Sequence, residues 1–68
     1  MVTYIRWKDP ISGYPSAMHE QGVEPLTSMH EEEGLVVEEV FEADTWEEAL
    51  AYSKTKSKEF FDDLTKKH

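Results

Sequence analysis

The sequence predicts an α+β fold: a small antiparallel sheet of three to four strands with one C-terminal helix packed on one face. Three observations carry this. Residues 2–8 and 35–43 are rich in β-branched and aromatic side chains that alternate with polar ones, and the last third places apolar residues at offsets of three and four behind a capping signal. At 68 residues the chain makes a single domain, 1–68, near the lower limit of what folds without a metal, a disulfide or a partner. Two Trp, three Tyr and three Phe supply large rings for a small core.

The first strand, 2–8, alternates Thr3, Ile5 and Trp7 against Val2, Tyr4 and Arg6. Asp9-Pro10-Ile11-Ser12-Gly13-Tyr14-Pro15 then stops the strand and turns the chain. It opens a turn-rich acidic middle, 9–34. Within it a weaker strand is expected from Ser16 to Gln21, pairing back on the first, followed by a loop from Gly22 to Ser28. Glu31-Glu32-Glu33-Gly34 is expected to close a hairpin with Ser28 to Glu31, Gly34 taking a positive φ.

In the strand 35–43, Leu35, Val37, Phe41 and Ala43 fall on one face and Val36, Glu38, Val40 and Glu42 on the other. Glu39 breaks the pattern, so it sits at a margin or marks a bulge. The helix 45–65 starts with Thr45-Trp46-Glu47-Glu48, a capping box in which the Thr45 hydroxyl accepts from the Glu48 amide and the Glu48 side chain returns to the Thr45 amide. Glu47 and Glu48 suit the positive end of the helix dipole, Lys66 and Lys67 the negative end. Its apolar face runs through Trp46, Ala49, Leu50, Ser53, Ser57, Phe60, Phe61 and Leu64. The two serines are expected to let the helix approach the sheet closely. One helix covers one side only, so Tyr4, Val36 and Val40 are expected on an open face suited to self-association.

The net charge is −8, and it is unevenly spread: residues 9–53 hold twelve of fifteen acids and no Lys or Arg. Such a one-sign field disfavours direct nucleic-acid binding, which needs cations to displace counterions. Absence of cysteine excludes disulfides, zinc–thiolate sites and iron–sulfur clusters. No apolar run approaches the roughly 20 residues of a membrane span, and MVTYIRWKDP lacks the apolar stretch of a signal peptide, so a cytoplasmic location is expected.

Met18-His19-Glu20 and Met29-His30-Glu31 form a near-repeat, each followed by a glycine. A metal site could use His19 and His30 with Glu20 or Glu31, and His68 as a further nitrogen. The histidines stand eleven apart without a close ligand pair, however, and a repeated strand-and-turn solution, with Met18 and Met29 in the core, accounts for them better. No metal or cofactor is expected. Nor is catalysis, because carboxylates are abundant but no motif supplies a desolvating pocket.

The expected function is therefore a non-enzymatic interaction module that binds or inhibits a larger protein with a basic surface, of the kind small phage or bacterial accessory genes encode. Its sharpest form is an imitation of DNA charge. The candidate contact residues are Glu31, Glu32, Glu33, Glu38, Glu39 and Glu42. The alternative is a self-assembling protein that dimerises through its sheet at Tyr4, Val36 and Val40.

Overall fold

The structure is a computed structural model, and it describes residues 1–66. The elements run β1 (Val2–Lys8), β2 (Pro15–Glu20), α1 (Glu24–Glu32), β3 (Val36–Ala43) and α2 (Trp46–Lys66). One three-stranded sheet has the order β2-β1-β3, with β1 antiparallel to both neighbours. The α+β arrangement with an antiparallel sheet and a C-terminal helix is as the sequence predicts. Its second helix is not.

The β1–β2 hairpin turns where Pro, Ser and Gly cluster. The Asp9 carboxylate accepts from the amides of Ile11 and Ser12 at 2.8 and 3.1 Å, which holds its pKa below the ordinary 3.8, and Gly13 takes φ +80°. Because β2 and β3 are both antiparallel to β1, they are parallel to each other across it. A connection between parallel strands needs a crossover, and α1 supplies it by passing over β1.

Two expectations are corrected here. The stretch Gly22–Ser28 is not all loop, and Ser28–Gly34 is not a hairpin. Pro25 sits in the first turn of α1, where its missing N–H is no loss. Gly34, at φ +86°, closes the helix: its amide donates to the Glu31 carbonyl at 3.1 Å, and the Leu35 amide donates to the His30 carbonyl at 3.0 Å. That pair of bonds is a Schellman cap.

The two helices take opposite faces of the sheet. Trp46 packs on Tyr4 and Tyr52 on Phe41, with ring centroids 5.9 and 4.5 Å apart, placing α2 over Tyr4, Phe41 and Ala43. On the other face His30 of α1 lies 5.4 Å from both Trp7 and His19. Tyr4 is thus 2% exposed, not part of an open patch, and Trp7 is equally buried. At 150–250 Å² each, the two rings contribute on the order of 4–6 kcal/mol apiece in gross burial. Among the described residues, the rest of the buried apolar set is Ile5, Ala43 and Ala49.

Glu39 marks a bulge. Arg6 pairs with Glu39 but Trp7 pairs with Val37, leaving Glu38 as the extra residue. Beyond the bulge the side chains change face, so Val37 shares the α1 face with Val40 and not, as the alternation suggested, the α2 face with Phe41. At the start of α2 the Thr45 hydroxyl accepts from the Glu48 amide at 3.2 Å as expected; the Glu48 carboxylate returns to the Asp44 amide, one residue earlier than expected. Lys67 lies outside the described residues.

The molecule measures 39 × 28 × 13 Å. With three strands in the order β2-β1-β3, every strand is an edge or next to one. Gly34→Ala tests the α1 cap. An added Cβ meets nothing within 4 Å, so only the left-handed backbone is penalised, and a loss of about 1 kcal/mol is expected in urea denaturation.

Candidate functional site

Arg6, on the central strand, is 3% exposed, and a guanidinium so far from water needs compensation. The bulge provides it. With two residues opposite one, both Glu38 and Glu39 reach Arg6, at 3.1 and 2.6 Å. Glu39 is engaged twice, since the Tyr52 hydroxyl donates to its second oxygen at 2.9 Å. Burial and the Glu39 carboxylate push the Tyr52 pKa above the ordinary 10.0, with Lys56, 5.5 Å from the ring centroid, opposing weakly. Two of the six candidate contact acids therefore hold the fold together.

The near-repeat resolves into one strand and one helix. His19 lies on β2 and His30 on α1, so the second Met-His-Glu is not a strand entering a turn, and Met29 is exposed while Met18 packs against the core. Both histidines are buried and their rings stack 5.4 Å apart at 22°. The Trp7 indole N–H can only donate, so Nε2 of His19, 2.9 Å away, accepts; the Glu20 carbonyl can only accept, so Nδ1 donates to it at 2.7 Å. These partners require the neutral ring. Nδ1 of His30 donates to Glu33 at 3.1 Å. Among the described residues no three His, Asp or Glu side chains are arranged to hold a metal, and His68 lies outside them.

Ser53 and Ser57 do not bring helix and sheet together. They line a cleft of about 310 Å³ between α2 and β2, walled by Met18, Trp46 and Leu50, with Arg6 at its floor. Because two carboxylates already satisfy Arg6, the floor does not call for an anion.

What remains exposed is concentrated on and around β3. Val37 and Val40 are 45% and 47% exposed, because α1 covers β1 and β2 but leaves β3 bare on that face; Val36, 40% exposed, stands opposite Lys8 at the start of the strand and so lies on the α2 face. Glu42 is exposed on the same face as Val40, since its register partner is Thr3. Glu31, Glu32 and Glu33 are exposed at the end of α1, three residues before the strand begins. Sequence reasoning named Val36, Val40 and these acids but missed Val37, whose face depends on the bulge. Of the self-association set, Tyr4 is withdrawn by burial, and Val36 and Val40, both exposed, are divided by the bulge between opposite faces and do not share one as expected.

Comparison with protein-family models, curated proteins and solved structures finds no match. Among the described residues no helix is long and apolar enough to cross a membrane.

Glu39→Gln should cost about 1.5–3 kcal/mol by weakening a charged hydrogen-bond network. The same change should lower the Tyr52 pKa toward 10, read from phenolate absorbance. The sign follows from the raised value: the folded state holds this proton more tightly, so the contribution is complete below pH 10.0 and is lost as pH rises through the higher folded value. His19→Phe keeps a stacked ring but leaves the Trp7 N–H unpaired; a loss of about 1–3 kcal/mol is expected, measured by Trp fluorescence in urea.

Proposed function

We propose that the protein is a non-enzymatic interaction module that docks on a larger protein through an acidic surface centred on β3, the partner surface being basic, as nucleic-acid-binding surfaces are. One observation carries the reading. The exposed Val37 and Val40 of β3 share their face with Glu42, the helix that leads into the strand ends in Glu31, Glu32 and Glu33, and the chain has no Lys or Arg from residue 9 to residue 53. An apolar centre inside a charged rim is the usual anatomy of a specific interface. The rim selects a partner of opposite sign and speeds its approach.

Self-association through the same valines is the competing reading. It would bring two surfaces of the same sign together in a protein of charge −8, which repulsion opposes at low ionic strength. Sedimentation decides between them: a monomer at low salt is expected, whereas a dimer there would favour self-assembly. Capture of partners on the immobilised protein should yield a species released by moderate salt and lost when Glu31, Glu32 and Glu42 are changed to Gln. Glu33, Glu38 and Glu39 are left intact in that control, because His30 and Arg6 depend on them. Retention of the partner by the Gln variant would sink the electrostatic reading.

A further inference from the structure

The exposed part of β3 is a strand edge as well as a face. On β1 the Thr3 carbonyl accepts from the Gln21 amide, so Thr3, Ile5 and Trp7 turn their backbone groups toward β2, and Tyr4 and Arg6 turn theirs toward β3. Their partners Phe41 and Glu39 therefore bond inward. Val40 and Glu42 present their N–H and C=O groups outward, with no strand beyond them among the described residues.

The two edges of the sheet are not equivalent. The β2 edge has six residues, starts at Pro15, which has no N–H, and has its Glu20 carbonyl taken by His19. The β3 edge has eight residues and no proline. A long, apolar edge is a template for another strand unless something prevents it.

We infer that β3 accepts an extended segment of a basic partner protein as a fourth strand, with aliphatic side chains against Val37 and Val40 and Lys or Arg against Glu42 and the carboxylates ending α1. This deepens the proposed function and rests on it. Backbone hydrogen bonds supply the affinity of such strand addition and side-chain contacts the choice of partner. Charge names the occupant. A second copy would bring Glu42 and the carboxylates ending α1 of both chains onto one interface in a protein of charge −8, which repulsion opposes. A cationic strand converts the same carboxylates into cross-strand ion pairs. The cations beside β3 lie toward its other face: Arg6 is held by Glu38 and Glu39, Lys56 is over the Tyr52 ring, 3.7 Å from Glu59, and Lys8 stands opposite Val36.

The probe is a blocked peptide Lys-Thr-Val-Thr-Val-Thr-Lys, which places Lys, Val, Val and Lys on one face, with a Glu-for-Lys version as control. Binding to the full chain is followed by amide NMR shifts and hydrogen exchange. The Lys peptide is expected to protect the Val40 and Glu42 amides and to weaken at least about tenfold between about 0.05 and 0.5 M salt. Val40→Pro, which removes an outward donor, and Val40→Lys, which keeps the strand but adds a cation, should each abolish that protection while the remaining amide spectrum stays native. Binding of the Lys peptide without protection at Val40 and Glu42 would overturn strand addition and leave the acidic-surface reading standing. Equal binding of both peptides, or binding of neither, would overturn both.

Discussion

A guanidinium enclosed in the middle of the central strand is the constraint on which the rest depends. Arg6 is fixed in sequence between Ile5 and Trp7, both buried, so it cannot swing out to water without disturbing the strand. Its charge has to be met in place. One carboxylate opposite would balance the charge but leave part of the N–H fork without acceptors, and the bulge at Glu38 and Glu39 brings two. The same extra residue rotates the first part of β3, which puts Val37 beside Val40 on the uncovered face. An internal electrostatic requirement thus shapes the external surface.

The crossover has a comparable effect. Because β2 and β3 lie at opposite edges and run parallel, the chain between them must pass over β1, and a helix of nine residues is what fills the distance. Such a helix shields the centre of the sheet and one edge strand but not both. In a sheet of order β2-β1-β3, the bare strand is also the sheet's boundary. Exposed valines and unpaired backbone groups then coincide, with carboxylates around them.

The histidine pair illustrates how a repeated motif can have one structural purpose. His19 and His30 reach each other from a strand and a helix, and Trp7 lies against both. Their ring nitrogens are turned to Trp7, the Glu20 backbone and Glu33. A neutral, hydrogen-bonded His19 is an acceptable core residue, because an imidazole in that state carries no net charge into the interior. The stack joins α1 to the sheet where the core has few apolar residues to do so.

Local chemistry by itself determined much of this protein. Alternation in 2–8 and 35–43, the Pro-Gly turn after Lys8 and the Thr45 cap with its apolar spacing define β1, β3 and α2 within a residue or two, because each of those signals acts over a few neighbouring positions. The signal for α1 was also present, in Pro25 and the Gly34-Leu35 ending, but Gly34 serves equally in a hairpin, and only the parallel relation of β2 to β3 excludes that choice. The acids were countable from the sequence, yet their division into Arg6 ligands and free surface was not. Which side a residue of β3 faces depends on a one-residue bulge, and the bulge depends on a cation thirty-three positions away. Long-range pairing of that kind has no local pattern, so the tertiary structure alone decided that Val37 and Val40 are exposed together and that Tyr4 is not.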